Sequence, residues 1–156
     1  MAPERFSGFR RQPLDVADWE DLLVRFEIMP RALRVAMEDG PAGEEGLSRA
    51  LLRLVDREEA VGRWLEALAS GGADPVVTRE SGGLPAPQLA ERFAAVRARN
   101  FAMLQRRGVD VWDWTAELEG TPVSVYQMVA WSVRCDGDTL AALRSGEPAA
   151  GRVTTC

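Results

Sequence analysis

The chain has 156 residues, of which 46% are hydrophobic and 28% charged, a balance typical of one soluble globular domain. Its net charge of −5 argues against nucleic-acid binding, which needs a basic surface. No apolar run approaches the roughly 18 residues of a membrane span, and the basic start lacks the apolar core of a secretory signal. Two cysteines do not make a disulfide framework. We therefore expect a cytoplasmic protein that binds neither nucleic acid nor membrane.

Four segments repeat apolar residues at spacings of three and four, and a glycine follows each segment. Glycine accepts the left-handed conformation that closes a helix, so this coincidence predicts four helices. The first covers about 15–39, with Asp15 as its N-cap and a kink or break at Pro30. The second covers about 47–70, and its apolar stripe is Leu47, Leu51, Leu54, Val61, Leu65 and Leu68.

The third helix is predicted over about 87–107, with Pro87 near its first position. The fourth covers about 122–145, with Thr121 as N-cap and Pro122 in the first turn. Helices of about 22 residues would each span about 33 Å, a length that suits a bundle. The prediction is an all-α four-helix bundle over 15–146, with tails at 1–14 and 147–156.

The links between the helices differ in length and composition. Residues 71–86 are rich in glycine and proline and predict a longer loop or crossover between the second and third helices. Before the fourth helix, the segment VDVWDW predicts a short helical turn packed on the end of the bundle. Trp112 and Trp114 of this turn either mark an interface or cap the bundle.

Three segments carry a resemblance to a known family. They are LSRALLRLVDREEAVGRWLEAL, LAERFAAVRARNFAMLQRRGVDVWDW and TPVSVYQMVAWSVRCDGDTLAALRSG. With the order of the helices, they make the chain similar to the DinB-like, or YfiT-like, superfamily of damage-inducible and thiol-transferase-related helical bundles. The resemblance covers roughly 15–145 and implies a four-helix bundle, thiol cofactors and a homodimer.

The resemblance also implies a metal site, with one histidine on the second helix and an H-x-x-x-H pair on the fourth. The matching positions here are Arg53, Cys135 and Thr139, and the chain contains no histidine. Arginine stays protonated and cannot bind a metal. We therefore expect a degenerate site that holds neither a metal nor a cofactor.

Polar residues fall within or beside the apolar arcs of the second, third and fourth helices on a helical wheel. Asp136 falls within the arc of the fourth helix, and Trp131 lies near its edge. The wheel predicts that one group of candidate ligand-binding residues faces the same part of the bundle: Arg53, Arg57, Arg97, Asn100, Trp131, Cys135, Asp136 and Thr139.

This set has several interpretations. Arginines could pair with Asp136 in a buried ion-pair network, or the set could form a pocket for a small anionic ligand. Cys135 could be a nucleophile activated by a neighbouring arginine, or a small apolar filler. A metal held by carboxylates is the remaining basis for catalysis, although a solvated charged face explains these carboxylates better. Those carboxylates are Asp56, Glu59, Asp136 and Asp138.

The function expected from the sequence is therefore that of a stress-associated binding protein of unassigned activity, which recognises a small ligand or a partner. The alternative is a metal-independent transferase or hydrolase that uses the Arg, Cys and Asp pocket between the helices. A purely structural dimer module is the third hypothesis. A filled core with a paired Asp136 would favour the structural interpretation, and a ligand-sized void would favour binding or catalysis.

Overall fold

A computed structural model describes residues 2–41, 43–70, 82–118, 120–146 and 156. Within these residues the chain is mostly helical, with four long helices and one small two-stranded sheet. The elements in chain order are α1 Ala2–Ser7, α2 Val16–Asp39, α3 Glu44–Ser70, α4 Ala86–Arg106, a 3-10 turn Val109–Asp113, β1 Thr115–Leu118, β2 Thr121–Ser124 and α5 Val125–Ser145.

The four long helices pack around a shared core. Helix α3 lies against α4 and α2 lies against α5, while α2 also contacts α4 and α3 also contacts α5. Each helix turns its apolar stripe inward, so Phe26, Leu54, Phe93 and Val129 are all fully buried. The prediction of four long helices is confirmed. None of the described helices is both long enough and apolar enough to cross a membrane.

Helix α2 begins at the N-cap that the sequence predicts, and it has no break at Pro30, where the sequence predicts a kink or a break. The Asp15 side chain accepts a hydrogen bond from the backbone N–H of Asp18 at 2.8 Å, which satisfies one unpaired donor of the first turn. The helix continues through Pro30. At its end, Gly40 is extended rather than left-handed. A Cβ there would lie 2.4 Å from the Ala36 carbonyl oxygen, so close packing requires the glycine.

Helix α5 starts later than predicted. Thr121 and Pro122 lie in β2, which pairs antiparallel with β1. Proline is tolerated there because both strands of a two-stranded sheet are edge strands. The true N-cap is Ser124, which forms a reciprocal capping box with Gln127. The predicted N-cap at Thr121 is therefore wrong, because the helix begins at Val125, after the short strand β2.

The N-terminal residues are not simply a tail, as the sequence suggested. Residues Ala2–Ser7 form α1, and Phe6 is buried. Its ring centroid lies 5.3 Å from that of Trp131 and 6.1 Å from that of Trp64. A six-residue helix contains too few turns to show apolar periodicity, so the sequence signal was weak.

The segment before α5 caps the end of the bundle, which is one of the two interpretations of Trp112 and Trp114. The 3-10 turn confirms the expected helical turn. Trp112 and Trp114 are half-buried and pack on the core, with Trp112 6.0 Å from Trp19 between ring centroids. Most of the predicted loop between the second and third helices (71–81) and most of the predicted C-terminal tail (147–155) lie outside the described residues.

Cys156 forms a disulfide with Cys135 of α5. Cysteine pairs of this kind form and persist in oxidising environments and are rare in the cytosol. With this disulfide, the two cysteines do not indicate a reducing cytoplasm.

Candidate functional site

Four charged side chains lie buried together in the helical core. Arg57 and Glu58 come from α3, Arg97 from α4 and Asp136 from α5, and each is at most 8% exposed. Their two positive and two negative formal charges cancel. We call this group, with Asn100 of α4, the buried network. Charges out of water need partners to offset desolvation, and this group supplies them internally.

Arg97 is the centre of the buried network. Its Nη1 donates to Asp136 Oδ2 at 2.9 Å and to the backbone oxygen of Phe26 at 2.7 Å. Its Nη2 donates to Glu58 Oε2 at 2.7 Å and to Asp136 Oδ1 at 3.2 Å. The guanidinium also stacks on two aromatic rings, 3.9 Å from the centroid of Phe26 and 4.9 Å from that of Phe93. A planar guanidinium suits this combination, whereas a lysine ammonium does not.

The remaining members complete the hydrogen bonding of the two carboxylates. Arg57 Nη2 donates to Asp136 Oδ1. Asn100 Nδ2 donates to Glu58 Oε1 at 2.8 Å and to the Glu58 backbone oxygen at 3.0 Å. Every carboxylate oxygen of Glu58 and Asp136 thus accepts at least one hydrogen bond. These bonds link α3, α4 and α5, although Arg57 Nε, Arg97 Nε and Asn100 Oδ1 are buried without a hydrogen-bond partner.

The pKa values of the buried network respond to burial and to charge in opposite ways. Burial lowers the pKa of Arg57 more than Asp136 raises it. Burial also acts to lower the pKa of Arg97, but the carboxylates of Asp136 and Glu58 outweigh it and hold that pKa above its ordinary value. For Asp136, burial raises the pKa while Arg97 and Arg57 oppose the shift. Of Arg57, Arg97 and Asp136, Arg97 alone has a pKa shifted in the direction that favours its charged form.

The structure brings together four of the candidate residues predicted from the sequence: Arg57, Arg97, Asn100 and Asp136. Sequence reasoning missed Glu58, which is fully buried. The signal was present, because Glu58 follows Leu54 by four positions and precedes Val61 by three. It therefore occupies an apolar position of the predicted stripe, where a carboxylate needs a buried cation.

The other four candidates lie outside the buried network. Arg53 is exposed. Trp131 packs against Phe6 and Trp64. The Thr139 hydroxyl donates to the Cys135 backbone oxygen at 2.9 Å, and the Cys135 sulfur belongs to the disulfide. The helical wheel predicted that the eight residues face the same part of the bundle. In the structure they do not line one pocket. Helices α3 and α5 turn some of their candidates to other surroundings, whereas both candidates on α4 join the buried network.

One cavity in the described part of the bundle lies among residues outside the buried network. It holds about 10 Å³, which is close to the room that a single water needs. None of the eight candidate residues lines it. Its lining residues are Leu65, Leu68, Met103, Leu104, Arg107, Val111, Trp114 and Val125. The Asp136 carboxylate is bound by the side chains of Arg57 and Arg97.

The residues present do not fit the metal that the family resemblance implies. At the three matching positions, Arg53 is a permanent cation, Cys135 is in a disulfide, and the Thr139 hydroxyl is bound to the helix backbone. No three His, Cys, Asp or Glu side chains among the described residues are grouped to hold a metal ion. Of the carboxylates considered from the sequence, Glu59 is paired with Arg92 at 2.6 Å.

Comparisons with known proteins give no match, whether to a family model, to a curated protein or to a solved structure. The interpretation of this site depends on its own geometry.

Proposed function

We propose that this protein is a non-catalytic binding protein of DinB-like architecture, in which the positions that match the family's metal ligands carry Arg53, Cys135 and Thr139 and the buried network joins three of the helices. The observation that carries the proposal is the bonding of Arg97. Both of its terminal nitrogens and all four carboxylate oxygens around it are engaged within the protein. A ligand site would instead present polar groups to an open cavity.

This geometry favours recognition of a partner by the surface over binding of a small anion in the core. An anion would have to displace Asp136 or Glu58 from Arg97, and so leave a buried carboxylate without its cation. The metal-independent transferase or hydrolase gains no support either. Its nucleophile would be Cys135, whose buried sulfur is bonded to Cys156. The association with stress responses comes from the resemblance alone.

The first test is elemental analysis of tag-free protein that has been purified without chelator. We expect no stoichiometric divalent metal. Thermal unfolding should also be unchanged by zinc, manganese or EDTA, because a metal that binds only the folded state would raise the midpoint. A stoichiometric metal, with a midpoint that EDTA lowers, would overturn the proposal.

The second test addresses the small-ligand hypothesis with inorganic phosphate and benzoate as probes. Neither should raise the unfolding midpoint in a saturable way, since both guanidiniums of the buried network are already paired. A saturable rise that is lost in Arg57→Met would show an anion site in the core. That result would contradict the non-ligand interpretation of the buried network. Arg53→Met, at an exposed candidate position, is the matched control.

A further inference from the structure

Residues 5–12, which we call the N-terminal arm, lie along a cleft formed by α3 and α5. The arm is anchored by Phe6, which is 2% exposed and meets the rings of Trp64 on α3 and Trp131 on α5 edge-on. The guanidinium of Arg5 lies 5.5 Å from the ring centroid of Trp131. The arm thus enters the core through one aromatic side chain in an aromatic pocket, as the central residues of protein interfaces do.

Two polar side chains at the start of α5 bind the backbone of the N-terminal arm. Gln127 Nε2 donates to the backbone oxygens of Phe6 and Phe9, both at 3.3 Å. Ser124 Oγ donates to the backbone oxygen of Arg11 at 2.6 Å. A backbone oxygen is the same acceptor whichever residue supplies it, so these bonds fit any segment that follows the same path.

The residues of the cleft are held in place by contacts that do not involve the arm. Ser124 and Gln127 form the capping box of α5. The rings of Trp64 and Trp131 pack against each other with their centroids 6.1 Å apart. Because these contacts would persist if the arm left, the cleft is organised in advance for a second occupant, and pre-organisation lowers the cost of binding.

The N-terminal arm and the rest of the chain carry opposite net charge. Residues 1–14 contain three arginines and one glutamate, a net charge of +2, so the remaining residues carry −7 of the total of −5. Opposite charges favour the association of a basic segment with this chain.

The base of the arm is fixed to α2 independently of the cleft. The Asp18 carboxylate accepts hydrogen bonds from the backbone N–H of Leu14 at 2.8 Å and from Arg10 at 3.1 Å. Release of Phe6 from its pocket breaks neither bond. The anchor therefore stays tethered beside the cleft, where a short tether gives an effective concentration of about the millimolar range.

We propose that this cleft is a docking site for a peptide segment of a partner protein, and that the N-terminal arm occupies it until such a segment displaces the arm. The segment that fits is basic and has two aromatic residues three positions apart, as in the arm sequence RFSGF. The second aromatic residue, Phe9, is half-buried, and the guanidinium of Arg134 lies 5.8 Å from its ring centroid. The proposal rests on the partner-binding function proposed above and names the surface and the kind of partner.

The test is fluorescence anisotropy with a labelled synthetic peptide of residues 1–12, MAPERFSGFRRQ. Full-length Phe6→Ala protein should bind this peptide saturably, because its own arm has lost its anchor. Wild type should bind the peptide at least about tenfold more weakly, since its arm competes from the same chain. A peptide with alanine in place of Phe6 should also bind the variant at least about tenfold more weakly. So should a scrambled peptide, which has the same charge.

The matched control is Ile28→Ala at an exposed position of α2, which should bind the peptide as weakly as wild type does. Circular dichroism checks that each variant is folded. Should Phe6→Ala fail to fold, a protease site inserted between Pro13 and Leu14 replaces it, since Leu14 is 76% exposed. After cleavage of the folded protein, the N-terminal fragment should dissociate on dilution and bind again on concentration.

Three results would overturn the docking site. The first is a folded Phe6→Ala protein that binds no peptide or binds the scrambled peptide equally well. The second is a wild type that binds the peptide as tightly as Phe6→Ala does. The third is a cleaved fragment that separates only when the protein unfolds. A stoichiometric metal would overturn the proposed function and leave peptide binding unchanged, so the two failures are distinguishable.

Discussion

Replacing Asp136 by alanine should lower the free energy of unfolding by much more than the small change in side-chain volume would suggest. The side chain accepts hydrogen bonds from both Arg57 and Arg97 and is nearly fully buried. Without the Asp136 carboxylate, Arg57 loses its ion-pair partner although it is only 8% exposed. Arg97 then keeps only the carboxylate of Glu58 as an ion-pair partner. Breaking a buried pair in this way costs about 3–5 kcal/mol, a large part of the roughly 5–15 kcal/mol of a typical domain.

The assay is equilibrium unfolding in urea, followed by tryptophan fluorescence and by circular dichroism. Asp138→Ala is the matched control, because Asp138 is exposed on the same helix and its loss should cost less than about 0.5 kcal/mol. The double variant of Asp136→Ala with Arg57→Ala should be more stable than the sum of the single effects predicts. The coupling should be about 0.5–3 kcal/mol, since the second change removes the stranded charge.

An Asp136→Ala loss below about 0.5 kcal/mol would refute the reasoning. It would mean that the carboxylate is not engaged with the two arginines in solution. A loss of several kcal/mol without coupling to Arg57 would also refute it, because the cost would then come from a defect unrelated to the pair.

Three other predictions concern packing, pH and the disulfide. Gly62→Ala should destabilise by about 1–3 kcal/mol in the same urea assay, because the added Cβ would lie 2.7 Å from Asn100 Oδ1. Gly137→Ala, where the Cβ meets open space, should stabilise by about 0.5–1 kcal/mol, and equal effects would contradict this argument. A backbone N–H and neighbouring groups lower the pKa of Asp18 below 3.8, so its contribution is present above that pH and is lost as pH falls through the lowered pKa. The difference in unfolding free energy between wild type and Asp18→Asn should shrink from about pH 6 to about pH 2, and a constant difference would argue against it. Cys156→Ser should lower the unfolding free energy by about 3 kcal/mol, given a sequence separation of 21, and dithiothreitol should lower it equally in wild type but not in the variant.

The start of α5 shows where local sequence signals compete. Both Thr121-Pro122 and Ser124 with Gln127 are valid start signals when taken alone. The hairpin decides between them, because β1 pairs with Thr121–Ser124 and the Val125 N–H donates to the Trp114 oxygen at 2.8 Å. A contact with the preceding strand is not visible in either signal, because each signal depends only on residues at the start of the helix. The N-cap at Asp15 had no such competitor and was predicted correctly.

In the buried network, too, local sequence signals decided some features and tertiary contacts decided the others. Periodicity along each helix identified Arg57, Arg97, Asn100 and Asp136 as inward-facing, because it reports where a side chain points relative to its own helix axis. It does not report how a neighbouring helix is rotated or which side chain faces it. Only packing decided that Arg97 lies between Glu58 and Asp136. Packing also turned Arg53 to solvent.

The sequence by itself determined the four long helices and the positions of half of the polar and charged residues that are buried in the described part of the chain, because helix formation and apolar periodicity depend on residues three and four apart. The tertiary structure alone decided the partners of those residues, the burial of Phe6 and the bond between Cys135 and Cys156. Each of these joins groups from separate elements, and the distance between such groups is fixed by how the elements pack rather than by any one of them.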